Sequence, residues 1–352
     1  IEENYDKIQV PALTITAWYD IFLGGSLRNF TGLQAHAAND AARKGQRLVV
    51  AIGGHSGSGR TIGAVDFGPA AEEVNQDSVT LDWYDYLFLG KQNQFATGKP
   101  VKIFVMGENT WRDEDNWPLE RAKQTRYALY SKGGANTASG NGRLVTEPNR
   151  FPLSEANTFP IRDERPDSYT YDPANPVPTV GGPLCCDPLH LPAGPRDQKE
   201  VETRPDVLIY STPPLESDTE VTGPVTLDLY AISSAVDTDF TAKLVDVWPN
   251  GFAQNLTEGI LRASYRESTV VAKPIVPGKV YEYKIDLWST SNVFFKGHQI
   301  RLEVSSSNFP RFDRNLNTGK SASTSAIFVK ATNTILHDPS HPSALILPVV
   351  QR

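Results

Sequence analysis

Along residues 1–97, short unbroken apolar runs alternate with stretches whose apolar side chains recur every three or four positions. VPALTITAW (Val10–Trp18) is of the first kind, and a run apolar on both faces predicts a strand buried in a parallel sheet. SLRNFTGLQAHAANDAARKG is of the second: Leu27, Phe30 and Leu33 share one helical face, with Ser26 as the expected N-cap. RLVVAIGG (Arg47–Gly54) predicts a second buried strand. AAEEVNQDSVTLDWYDYLFLG predicts a second helix that turns Val79, Trp83, Tyr86 and Leu87 to one face and stops at Gly90. Strand, helix, strand, helix is an α/β unit on parallel strands.

From residue 98 the pattern changes. PVKIFVMG, RYALYS, DVLIYS, VTLDLYAIS, FTAKLVDVWP, VYEYKIDLW, QIRLEVSSS and SAIFVKA are short β runs, several alternating, separated by Gly, Pro, Asn and Asp. Many short strands with turn residues between them predict a β-sandwich or jelly roll. Residues 136–196 are rich in Pro, Gly and Asp and carry no predicted element, so an ordered long loop wrapping the sandwich is expected. The expected fold class is thus α/β plus all-β, divided into residues 1–97 and 98–352. Two parallel strands and two helices leave faces and edges of a doubly wound sheet uncovered. A further piece of polypeptide completing the first part is favoured over packing of that part wholly on the sandwich.

Composition narrows the partners. With 352 residues, 39% of them hydrophobic, the chain can fill two cores. A net charge of -7 argues against a nucleic-acid partner. No apolar stretch approaches the roughly 20 residues of a membrane-spanning helix. The chain starts at Ile1 with neither Met nor signal peptide, which reads as a mature or cut product. Export is favoured over a cytoplasmic location, and self-association stays open. The only cysteines, Cys185 and Cys186, are adjacent. They can close an eight-membered ring but cannot staple distant segments, and two partly buried loop thiols are expected.

Candidate chemistry begins at GHSGSGRT (54–61), one letter from a phosphate-binding loop, with Arg60 in place of the lysine. Gly63, Gly68 and Pro69 make a poor helix start after it, so nucleotide binding is not expected. His55 follows one buried strand and Asp20 follows the preceding one, and chemistry in open α/β sheets sits at such strand ends. A carboxylate beside an imidazole fixes its tautomer and stabilises the imidazolium formed when a nucleophile gives up its proton. A turn aspartate and an ordinary loop histidine are the plainer alternative. The other five histidines, His36, His190, His298, His337 and His341, lack metal-ligand spacing, so no metal is expected.

AWYDIFLGGSLRNF, LDWYDYLFLG, PVKIFVMGENTWRDEDNWP, TDFTAKLVDVWPNG, GHQIRLEVSSSNFPRFDRNLNTG and the HPSALILPV ending carry a resemblance to cocaine-esterase-like (CocE/NonD) hydrolases. That family includes X-prolyl dipeptidyl peptidases and α-amino-acid ester hydrolases. The resemblance implies an α/β-hydrolase core, an inserted helical cap, and a C-terminal jelly roll beginning near PVKIFVMG. It implies Asp20 as the triad acid, His55 as the triad base and Phe22 facing the acyl pocket, a helix-packing role for Phe22 remaining open.

The chain departs from the family in three ways. Ile52-Gly53-Gly54 stands where Pro-Trp usually precedes the His dipeptide, implying a looser histidine loop. Ile21, Phe22 and Leu23 replace the acidic residues of amino-ester hydrolases, favouring a neutral or apolar acyl group. No serine stands in a G-x-S-x-x-G elbow between a strand and a helix: Ser56 and Ser58 follow His55 in a loop, in the wrong place and order for it. The resemblance therefore implies the C-terminal portion of a serine hydrolase acting on a small ester or amide. Its nucleophile would come from an N-terminal α/β-hydrolase/cap polypeptide, and no cofactor is implied. The rival is a non-catalytic carbohydrate-binding or structural β-sandwich module.

Overall fold

A computed structural model describes residues 1–55, 57–146 and 164–351, and strands dominate it. The order is β1 (Leu13–Tyr19), α1 (Leu23–His36), α2 (Asp40–Lys44), β2 (Arg47–Gly54), β3 (Gly57–Ser58), β4 (Thr61–Ile62), β5 (Val65–Asp66), α3 (Gln76–Leu89) and α4 (Gln94–Thr97). There follow β6 (Val101–Val105), β7 (Thr110–Glu114), β8 (Ala122–Tyr130), β9 (Arg143–Thr146), β10 (Asp167–Tyr171), β11 (Leu208–Ser211) and β12 (Thr219–Ser233). The chain ends in β13 (Asp239–Val247), β14 (Ala253–Arg262), β15 (Tyr281–Phe294), β16 (Gln299–Ser305), β17 (Ala331–Leu336) and β18 (Ala344–Val350). No helix among the described residues is long and apolar enough to cross a membrane.

The first sheet runs β1-β2-β6-β7, with β3 folded back on β2. β1 with β2, and β2 with β6, are parallel, while β7 returns antiparallel along β6. The apolar run PVKIFVMG, expected to open the sandwich, is therefore the third parallel strand of this sheet. The reason is in its text: four of the five β6 residues are fully buried, as a strand covered on both faces requires. β1 is the open edge of the sheet among the described residues.

The first expected helix is two. α1 starts at Leu23 with Phe22 in the N-cap position, so Ser26 lies inside the first turn, its N–H on Phe22 O at 2.8 Å. The chain leaves the helix at Ala37, and the Asn39 side chain caps α2 by accepting from Ala42 N–H at 2.8 Å. α3 begins later than its periodicity suggests because the Asn75 carboxamide accepts from Ser78 N–H. It ends at Gly90, whose φ of 66° is the left-handed stop read from the sequence. Val79 and Trp83 are buried; Leu87 is exposed, not on the packed face.

The larger sheet runs β10-β17-β12-β18-β8-β9-β11-β16-β13-β14, with β15 also on β12. β12 shows its construction: from Gly223 to Ser233, buried and half-buried positions alternate strictly. Two expectations fail here. Residues 136–196 contain β9 and β10, missed because DSYTY is hydrophilic; its inward residues Asp167, Tyr169 and Tyr171 are nonetheless buried. Positions 147–163 of that stretch lie outside the described residues. SAIFVKA is not a strand until Ala331, and Ile327, Phe328 and Val329 are exposed.

One apolar core spans both sheets, from Trp18, Phe30 and Val50 to Phe240, Tyr283 and Leu302. Trp18 Nε1 donates to Phe104 O at 2.7 Å inside it, and Met106 exchanges backbone hydrogen bonds with Ser291 and Val293 next to β15. The first sheet is thus wider than two strands and shares its core with the second.

Candidate active site

Neighbouring parallel strands deliver the residues that follow them to the same end of a sheet. Asp20 follows β1, His55 follows β2, and His55 Nδ1 lies 3.2 Å from Asp20 Oδ1. With the proton on Nδ1 the imidazole donates to the carboxylate and leaves Nε2 as an acceptor. The turn into α1 wraps the carboxylate: Phe22 N–H donates to Asp20 Oδ1 at 3.0 Å, Leu23 N–H to Asp20 O, and Asp20 N–H to Ala17 O. The Asp20 side chain is 15% exposed and that of His55 41%, so the acid is tucked behind and the imidazole faces out. Phe22 stands edge-on to the imidazole, ring centroids 4.9 Å apart at 81°, and is itself exposed. It does not pack inside the helix layer.

The histidine loop is paired back onto the sheet on either side of it. Gly53 pairs with Ser58 and Gly54 with Gly57, so β3 stitches the loop back onto β2. Gly53 has φ 148°, and a Cβ there would lie 2.5 Å from Gly57 O. The glycines that replace the family's Pro-Trp therefore permit a close backbone approach. Behind Asp20, the buried Tyr19 hydroxyl donates to Asn255 O at 2.8 Å, fastening the end of β1 to β14. Burial pushes that phenol well above its ordinary pKa.

His55, Asp20 and Phe22 open on a cleft of about 310 Å³. Its floor is one face of the parallel pair, Ile15 beside Val49 and Ala17 beside Ala51, and Val79 of α3, which clusters with Val49, also lines it. Ser26, Ser58 and Gln76 add polar groups. An imidazole oriented by a carboxylate and open to such a cleft can take a proton from an incoming hydroxyl and return it to a leaving group. Among the described residues no serine, threonine or cysteine is hydrogen-bonded to His55.

GHSGSGRT leads into β4 rather than a helix, and Arg60 grips Asp66 through two nitrogens at 2.8 Å each. Other histidines pair with carboxylates too. His298 Nδ1 is 2.8 Å from Asp246, while His337 reaches Glu164 at 2.9 Å and Asp167 at 3.1 Å. The sequence reading missed both, since Asp246 and Asp167 are remote along the chain. His337 is only 1% exposed, out of reach of a substrate. Among the described residues no group of three or more His, Cys, Asp or Glu side chains is placed to hold a metal ion.

Residues 93–346 match the family of X-Pro dipeptidyl-peptidase C-terminal non-catalytic domains. The chain is 43% identical to cocaine esterase of Rhodococcus sp. (strain MB1 Bresler), over 99% of its own length and 58% of the esterase. Among solved structures it superposes on an aminopeptidase from a marine sediment Thaumarchaeota archaeon with TM-score 0.81 at 27% identity, covering 99% of this chain and 57% of that one. It superposes on a selenomethionine-labelled α-amino acid ester hydrolase with TM-score 0.79 at 26% identity and the same coverage. The chain thus spans rather more than half the length of these relatives. Asp20, Phe22 and His55 precede the segment matched as non-catalytic. The chain belongs to the cocaine-esterase-like hydrolase family, and residues 93–346 are its X-Pro dipeptidyl-peptidase C-terminal domain.

Proposed function

We propose that this chain is the C-terminal portion of a serine hydrolase cleaving a small ester or amide by acyl transfer. His55 is the base and Asp20 the acid of its triad, and the nucleophilic serine belongs to a separate N-terminal polypeptide. The observation that carries this is the 3.2 Å His55–Asp20 pair at adjacent strand ends, open to an apolar-floored cleft. As the serine attacks the carbonyl, His55 takes its proton and then gives it to the leaving group. Asp20 holds the tautomer and the imidazolium. Oxyanion donors on the partner polypeptide would contribute about 3 kcal/mol each.

Phe22 and the floor of Ile15, Ala17, Val49 and Ala51 suit a neutral or apolar acyl group. Ile21 and Leu23 offer no carboxylate to an ammonium. On this reading residues 1–97 are the C-terminal part of an α/β-hydrolase core, whose sheet would be extended at the open β1 edge. β6 and β7 complete the margin of that sheet, the strands from β8 onward are a jelly roll that buttresses it, and no cofactor takes part. The non-catalytic name of the domain matched over 93–346 favours a second reading, a carbohydrate-binding or structural module.

The test is fluorophosphonate labelling of the native two-chain complex. The expected outcome is a labelled serine on the partner polypeptide, with labelling reduced about 10³-fold or more by His55→Ala in this chain. A complex that forms and does not label leaves the module reading.

A further inference from the structure

Residues 182–194 form a loop closed at its neck by two backbone hydrogen bonds. Gly182 N–H donates to Gly194 O at 2.8 Å, and Gly194 N–H to Gly182 O at 2.9 Å. Inside the loop Cys185 and Cys186 are joined by a disulfide, not held as the two thiols that their adjacency suggested. Cys185 is half-buried and Cys186 exposed, so a soluble thiol can reach the bond. Cys186 has φ 74°, a left-handed conformation that most residues with a Cβ avoid. Opening the ring frees that residue to leave it.

The neck is wedged against the histidine loop. Ala64 N–H donates to Pro195 O at 2.8 Å, and a Cβ on Gly63 would sit 2.3 Å from the same oxygen. A Cβ on Gly194 would meet Ile62 Cγ2 at 2.8 Å, so the two segments touch without slack. Ala193 Cβ lies 3.6 Å from the position of a Cβ on Gly54, the residue before His55. On the far side Arg196 N–H donates to Asn255 Oδ1 at 2.7 Å, anchoring the neck to β14.

We propose that Cys185–Cys186 is a thiol–disulfide exchange site for dithiol reductants, and that its redox state passes through the Gly182–Gly194 neck to the loop carrying His55. In the exchange a thiolate of the dithiol bonds to Cys186 Sγ, the Cys185–Cys186 bond breaks, and Cys185 leaves as a thiolate that takes a proton. The second thiolate of the reductant then attacks its own sulfur in the mixed disulfide and releases Cys186, which is protonated in turn. The dithiol loses two electrons to become a cyclic disulfide, and the protein gains two thiols. The packing contacts hold whether or not His55 acts as a base, so the exchange site and the hydrolase reading fail independently.

Dithiothreitol followed by iodoacetamide, on the folded chain, tests the site by mass spectrometry. The expected result is two carbamidomethyl groups, on Cys185 and Cys186, and none without reductant. Hydrogen exchange of the oxidised and reduced chain then tests the coupling: amides of 57–66 should exchange at least about fivefold faster after reduction, while β13 and β16 are unchanged. The double variant Cys185→Ser, Cys186→Ser should behave as the reduced chain with no reductant present. Should that variant not fold, the reduced native chain still decides. No alkylation under native conditions, or alkylation with exchange at 57–66 unaltered, overturns the proposal.

Discussion

His337 is held by two carboxylates, Glu164 at one ring nitrogen and Asp167 at the other, and Asp167 also accepts from Tyr210 and Ser131. Burial alone would push its pKa down. The hydrogen bonds to Asp167 and Glu164 outweigh that and raise it. A raised folded-state pKa stabilises fully below the unfolded value, about 6.5 for histidine, and is lost as pH rises through the folded one. Burial acts the other way on an acid and pushes the Glu303 carboxyl up to about 8, so its contribution is present below about 4.5 and is lost as pH rises through about 8. Urea midpoints should therefore fall from pH 6 to pH 8.5, and His337→Gln should flatten that slope. At Gly53, Ala would force a Cβ against Gly57 O and cost about 1–3 kcal/mol, read as a lower thermal midpoint. Asp20 and His55 were legible because each directly follows an apolar run. The His337–Asp167 pair was not, because 170 positions separate its members.

Among the elements, β7 and β12 are clamped by charge. Arg112 reaches Glu220 through two nitrogens at 3.0 and 2.6 Å and Glu114 at 2.6 Å, and Arg121 also grips Glu114. Both glutamates are only 2% exposed. Arg112→Ala leaves Glu220 buried after removing its bidentate partner, and the expected loss is about 3–5 kcal/mol in urea denaturation. Adding Glu220→Gln to that variant should recover part of the loss. Elements with strong local text, β1, β2, β6 and the alternating β12, were readable from sequence. β10 was not, since its inward Asp167 is tolerable only through hydrogen bonds that tertiary structure supplies. The membership of β6 was hidden for a similar reason: an apolar run announces burial but not which sheet provides it.

For the whole molecule, the open β1 edge and the outward side of α3, where Leu81, Tyr84 and Phe88 are exposed, bear on the two-chain proposal. If an N-terminal polypeptide covers them, titrating it in should raise the thermal midpoint, by about 2.7 kcal/mol of stability at a hundredfold excess over Kd. An unchanged midpoint would count against it.

The common core has a consequence for how such a protein is inherited and cut. The segment that recurs as a family unit starts at residue 93, yet its first strand, β6, hydrogen-bonds to β2. The evolutionary module and the folding module are out of step by one hairpin. A fragment trimmed to the family boundary would carry β6 and β7 as an orphan ribbon with a bare apolar face. Recombination at that boundary carries the margin of the first sheet along with the larger sheet, and a recipient must already own a parallel strand to receive β6.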